Sequence, residues 1–228
     1  NLLMIMKPDL FGIAKDSSLP ARISFVTVFI WWIGFSQITF SRLPKYTFRK
    51  RMKRESVLSN GYKELRRVFV QINKSYKFSL YLTGFFFLMM GVLTTMFMAA
   101  TYGEKEIGLK EDVLIPTILV IQLVGMAGAW MFARISEKLG NLQALMITIV
   151  AWTLICIGAY FISSTTEFVI AAFFIGIVMG GSQSLARSTY SKMLPADTTD
   201  HTSFFSFYDV MEKLATVAGT FSFGFMEA

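Results

Sequence analysis

Six stretches of about 20 apolar residues recur along the chain, and they constrain its fold more than any other feature. They run roughly over 19–40, 77–102, 112–134, 142–162, 167–185 and 204–226. Each is long enough to cross a hydrocarbon core about 30 Å thick as a helix. In lipid every backbone polar group has to be satisfied within the segment, which favours helices over open sheets. A soluble bundle would need polar outer faces, and these runs lack them. The expected class is an all-α membrane protein, a polytopic bundle of about six transmembrane helices.

Composition agrees. Of 228 residues, 54% are hydrophobic and 16% charged, against about 25% charged in soluble domains. Mean hydropathy is +0.53. Glycines recur inside the spans, at Gly84, Gly91, Gly125, Gly128, Gly158, Gly176, Gly180 and Gly181, where small residues let membrane helices approach closely. "NLLMIMKPDLFG" reads as the tail of a preceding span, so the chain is expected to be an internal piece of a longer one. Cys156 is the one cysteine. No disulfide can form within the chain, and Cys156 reads as a small buried hydrophobe.

The net charge of +7 is unevenly placed. Residues 41–77 hold twelve Lys or Arg against two Glu, whereas "SSTTE" has no positive charge. The positive-inside rule then puts 41–76, 135–141 and 186–203 in the cytoplasm, and 103–111 and 163–166 outside. Every hairpin closes consistently. The basic tract is a topogenic, lipid-facing linker, not a nucleic-acid site, because no binding fold surrounds it. Within it Leu65, Val68, Phe69 and Ile72 have helical spacing beside basic residues, which predicts a helix along the membrane surface.

Catalytic constellations are absent. The one histidine, His201, sits near Asp197 and Asp200 and reads as a solvated loop residue more than a zinc ligand. There are no Cys pairs, no phosphate-binding Gly loop and no Ser nucleophile signature. No enzyme, metal or cofactor is expected.

Three charged features remain. In "GAWMFARISEKLGN", Arg134, Glu137 and Lys138 can form an ion-pair cluster beside a tight turn. In "GIVMGGSQSLARSTYSKMLP", Gln183, Arg187 and Tyr190 can share one side of a helix. In "SFFSFYDVMEKLATVAGTFSFGFMEA", Asp209, Glu212 and Lys213 interrupt an apolar run. Asp209 and Lys213, at i, i+4, are expected to pair, with Glu212 reaching Arg187 or the "RISEKLGN" turn. Charge at this depth normally faces protein or water. Arg134, Glu137, Lys138, Arg187, Asp209, Glu212 and Lys213 are the gate or coupling candidates. Thr94, Thr95, Gln122, Gln183 and Tyr208 are the substrate-cavity candidates.

Together these stretches, with "GEKEIGL" and "DHTSFFSFYDVMEK", resemble the vacuole-effluxer-like branch of the major facilitator superfamily, related to autophagy-linked amino-acid effluxers. The resemblance covers nearly the whole chain. "RISEKLGN" departs from the superfamily loop Gly-x-x-x-Asp-Arg-x-Gly-Arg in lacking its final Arg, and Leu93 stands where a Gln would be expected. The resemblance implies a partial superfamily fold. Residues 1–40 would end the N-terminal half, 41–76 form the cytoplasmic linker, and 77–228 supply the seventh to eleventh spans, the twelfth missing. It further implies a secondary transporter of small polar metabolites, with amino acids as candidate substrates and the proton as candidate coupling ion. Its partners would be the lipid bilayer and the absent N-terminal half, and its place a bacterial inner membrane. The rival class is a membrane scaffold without transport, in which Thr94, Thr95, Gln122 and Tyr208 would scatter instead of converging.

Overall fold

The computed structural model describes residues 11–13, 19–43, 57–195, 198 and 200–227, and the chain divides into two units, 1–54 and 55–228. The first ten residues, the linker stretch 44–56 and Asp197 lie outside the described residues.

The first unit contains α1 (Leu19–Arg42), 24 residues or about 36 Å long at 1.5 Å per residue. It exposes Phe25, Trp31 and Trp32. Three of its hydroxyls turn back on their own helix: Thr27 donates to the Ile23 carbonyl at 2.8 Å, Thr39 to that of Phe35 at 3.3 Å and Ser41 to that of Ile38 at 2.9 Å. In lipid no other partner would be at hand for these groups.

The second unit contains α2 (Val57–Asn73), α3 (Tyr76–Lys105), α4 (Glu111–Leu139), α5 (Asn141–Ala159), α6 (Thr165–Met193) and α7 (His201–Glu227). All regular structure among the described residues is helical. Helices α1, α3, α4, α5 and α6 are long and apolar enough to cross a membrane. Helix α7 has the length, at 27 residues, and carries Asp209, Glu212 and Lys213 inside it. The helices run beyond the apolar stretches into the polar ends. The start of α6 is fixed by a capping box, in which the Glu167 N–H donates to Ser164 Oγ and the Ser164 N–H donates to Glu167 Oε2. Between α4 and α5 stands only Gly140, at φ +88°, a conformation that costs side-chain-bearing residues strain.

The tightest packing joins α4 to α6. A Cβ on Gly128 would run into the Ile177 backbone, one on Gly180 into the Gly125 carbonyl, and one on Gly181 into the Phe132 ring. Gly176 meets the Ile121 backbone near one end of the contact and Gly181 meets Phe132 near the other, so the two helices run parallel. Here small residues bring two backbones together, as expected. Gly84, Gly91 and Gly158 do not share that role, since each faces open space. Helix α5 lies antiparallel to α6, held by Trp152 Nε1 donating to Ser182 Oγ at 3.2 Å. Helices α3 and α7 form a second parallel pair, with Phe85 on Tyr208 and Thr94 against Gly219.

Two sequence expectations change here. Helix α2 forms, but its apolar face lies on protein: Val68 and Ile72 are buried in one cluster with Phe78, Phe204 and Phe207. Phe69 stays half exposed, its ring 6.2 Å from Phe207. The same apolar spacing fits any apolar surface, and the ends of α3 and α7 supply one. Cys156 is exposed, not buried. Outer faces of membrane helices are themselves apolar, so an apolar run does not reveal which side chains face inward.

Candidate functional site

Antiparallel α6 and α7 are pinned where Tyr190 on α6 donates its hydroxyl to the Phe204 carbonyl at 2.7 Å. From α3, Tyr81 donates to the Ala186 carbonyl, also at 2.7 Å. These bonds set Arg187 opposite Asp209, with Nη2 and Oδ1 3.2 Å apart. Both side chains remain about half exposed, at 56% and 54%. The guanidinium lies 5.7 Å from the Phe205 ring centroid and 5.6 Å from that of Tyr208, within range of a cation–π attraction.

The expected pairing of Asp209 with Lys213 is therefore corrected. Asp209 reaches across to α6, and Lys213 Nζ lies 3.6 Å from Glu212 Oε1. The helix crossing sets a guanidinium opposite the short Asp209 side chain, and this tertiary contact prevails over the i, i+4 one. Glu212 does not contact Arg187; it is partly buried, whereas Lys213 is exposed.

The cavity candidates occupy different places. Tyr208 is a core residue instead of a cavity wall, its ring 4.4 Å from Phe85 and 4.9 Å from Tyr190. Gln183 and Arg187 line an open groove of about 540 Å³ with Ser184, Ser188, Ser191 and Phe205. Thr94 and Thr95 line a separate, largely apolar cleft of about 300 Å³ towards the other end, shared with Tyr102, Cys156, Ile175 and Phe223. There the Thr94 hydroxyl is buried without a hydrogen-bond partner, and Thr95 donates to the Gly91 carbonyl at 2.9 Å. Gln122 is exposed on α4, outside both.

Arg134, Glu137 and Lys138 do not form the expected cluster. All three are exposed, and Arg134 lies over the Trp130 ring at 5.3 Å. The turn is tied to α6 by a residue that sequence reasoning missed. Asn141 Nδ2 donates to Ser188 Oγ, and its Oδ1 accepts from Lys192 Nζ, both at 2.8 Å. An amide directly after the Gly that separates two helices was the available signal. Ser203 was also missed: its Oγ lies 2.8 Å from Glu64 Oε1 on α2 and 2.9 Å from Asp200 Oδ1. His201 is exposed.

An all-helical set of elements with five helices long and apolar enough to cross a membrane fits a partial bundle of the major facilitator type, a class of membrane transporters. The chain belongs to the family described as "Vacuole effluxer Atg22 like", which it matches over residues 1–227. It is 27% identical over 219 residues to the MFS-type transporter YxiO of Bacillus subtilis (strain 168), covering 96% of this chain and 50% of that one. To autophagy-related protein 22-2 of Aspergillus clavatus it is 24% identical over 174 residues, covering 70% and 28%. To autophagy-related protein 22 of Yarrowia lipolytica it is 23% identical over 177 residues, covering 72% and 29%. The chain thus spans half or less of the length of these relatives. No solved structure matches it.

Proposed function

We propose that this chain is the C-terminal portion of a secondary active transporter that moves small polar metabolites, amino acids foremost, by alternating access. Residues 1–40 end the N-terminal half, 41–76 form a cytoplasmic linker, and 77–228 build one wall of the transport path in a bacterial inner membrane. The family supports the class, and the Lys/Arg bias of alternate loops supports the orientation.

The observation that carries the mechanism is the Arg187–Asp209 contact. It joins α6 to α7 at the end that α2 covers, which this topology makes cytoplasmic. In a transporter that rocks two halves about a central site, a half-exposed pair of this kind favours one arrangement by a modest amount. That suits an equilibrium which has to run both ways. Arg134, Glu137, Lys138 and Gln122, exposed on α4, then face water or the other half. Asp209 and Glu212 are the carboxylates available for proton coupling.

One observation favours a second function, a membrane scaffold without transport: Thr94 and Thr95, Gln122 and Tyr208 do not converge on one cavity. Counterflow of labelled amino acids into vesicles holding the full-length protein decides between them. Uptake that falls in Asp209→Asn at equal abundance supports transport. No counterflow for any of the twenty amino acids or for a panel of other small polar metabolites supports the scaffold.

A further inference from the structure

The groove beside Arg187 has more hydrogen-bond donors than its neighbours use. Arg187 offers five N–H donors, and among the described residues its one hydrogen bond is from Nη2 to Asp209. Ser188 accepts from Asn141 and keeps its own proton uncommitted. The Gln183 amide and the Ser191 hydroxyl line the same groove, with no hydrogen-bond partner among the described residues. Ser184 differs, since its hydroxyl already donates to the Gly181 carbonyl at 3.0 Å. Residues 184, 187, 188 and 191 stand at helical spacing, so the polar stripe follows one face of α6. Such a stripe does not suit a lipid-facing surface. The Phe205 and Tyr208 rings at 5.7 and 5.6 Å hold the guanidinium in place. Asp209 takes one donor through one oxygen, leaving the planar fork that recognises carboxylates two-pronged unfilled.

We infer that this groove is a binding site for a small carboxylate, in which Arg187 is the anchor and Asp209 its built-in competitor. An incoming carboxylate takes the guanidinium from Asp209, so ligand binding and rupture of the α6–α7 contact are one event. Gln183 and Ser188 donate to the second oxygen or to a neighbouring polar group of the ligand. This inference deepens the transporter proposal by giving the gate a ligand. It also explains why the pair is half exposed, because a sealed pair would admit no competitor.

The test is a binding measurement on the full-length protein in detergent, with sodium acetate as probe and sodium chloride holding ionic strength constant. Melting temperature against acetate concentration gives the apparent Kd. Acetate should stabilise the wild type saturably. In Asp209→Asn, loss of an exposed competitor should tighten binding about two- to five-fold. Arg187→Gln should abolish saturable stabilisation, and Arg187→Lys, which lacks the planar fork, should weaken it. Unchanged affinity in Asp209→Asn, or wild-type affinity in a folded Arg187→Gln, overturns the site. Should Arg187→Gln fail to fold, Asp209→Asn and Gln183→Ala decide alone, the latter expected to weaken binding. Transport is not read in this assay. Absent acetate binding beside intact counterflow sinks only the site, and intact binding without counterflow sinks only the transport function.

Discussion

Gly180 of α6 lies directly against the backbone carbonyl of Gly125 on α4, with no room between them for a methyl group. A larger side chain there has to push two helices apart over the length of their contact. Gly180→Val should lower the melting temperature of the full-length protein in detergent, by about 1–3 kcal/mol or more of stability. Gly91 faces open space, so Gly91→Ala should be neutral or stabilise by up to about 1 kcal/mol. Equal effects at both positions would contradict the packing described.

Arg187 and Asp209 should matter more to transport than to folding. Both are half exposed, so a double-mutant cycle in thermal stability should return a coupling of only about 0.2–1 kcal/mol. Counterflow by Asp209→Asn should nonetheless fall at least about ten-fold at matched abundance, equivalent to roughly 1.4 kcal/mol. A coupling of several kcal/mol would mean that the pair is structural.

Ile72 should anchor α2, and Phe69 should not. Ile72 is 2% exposed and Phe69 51%. Ile72→Ala should cost about 2–5 kcal/mol of local stability and speed protease cleavage within α2. Phe69→Ala should change that cleavage rate little. Equal protection of both variants would show that α2 is held by something other than its apolar face.

Orientation can be read by labelling from outside intact cells. Cys156 is exposed and has to be replaced by Ala first. A cysteine at Thr165 should then react with an impermeant maleimide, and one at Lys74 should not. Both positions lie at exposed helix ends. The reverse pattern would invert the topology.

The spans were legible because a 30 Å hydrocarbon layer imposes a length that apolar runs display openly. The α4–α6 seam was half legible. Glycines marked it, but Gly84 and Gly91 carry the same signal and meet nothing. The ion pair was not legible as formed. Sequence spacing offers Asp209 the nearby Lys213, while Arg187, 22 positions away, becomes its partner only through the antiparallel crossing that Tyr190 fixes. Asn141 and Ser203 were missed for a related reason, since each is an ordinary polar residue whose role arises from what the fold sets beside it. For helix α2, amphipathicity named an apolar face and not its occupant, which for Val68 and Ile72 is the ends of α3 and α7.

The single glycine between α4 and α5 leaves that joint without slack. A longer connection would absorb a tilt of one helix and leave its neighbour still. With Gly140 alone, and Asn141 bound to Ser188 and Lys192, a swing of α4 has to drag the start of α5 and the far end of α6 with it. The three helices are then expected to move as one lever, so any bending within residues 55–228 is expected where that lever meets α3 and α7.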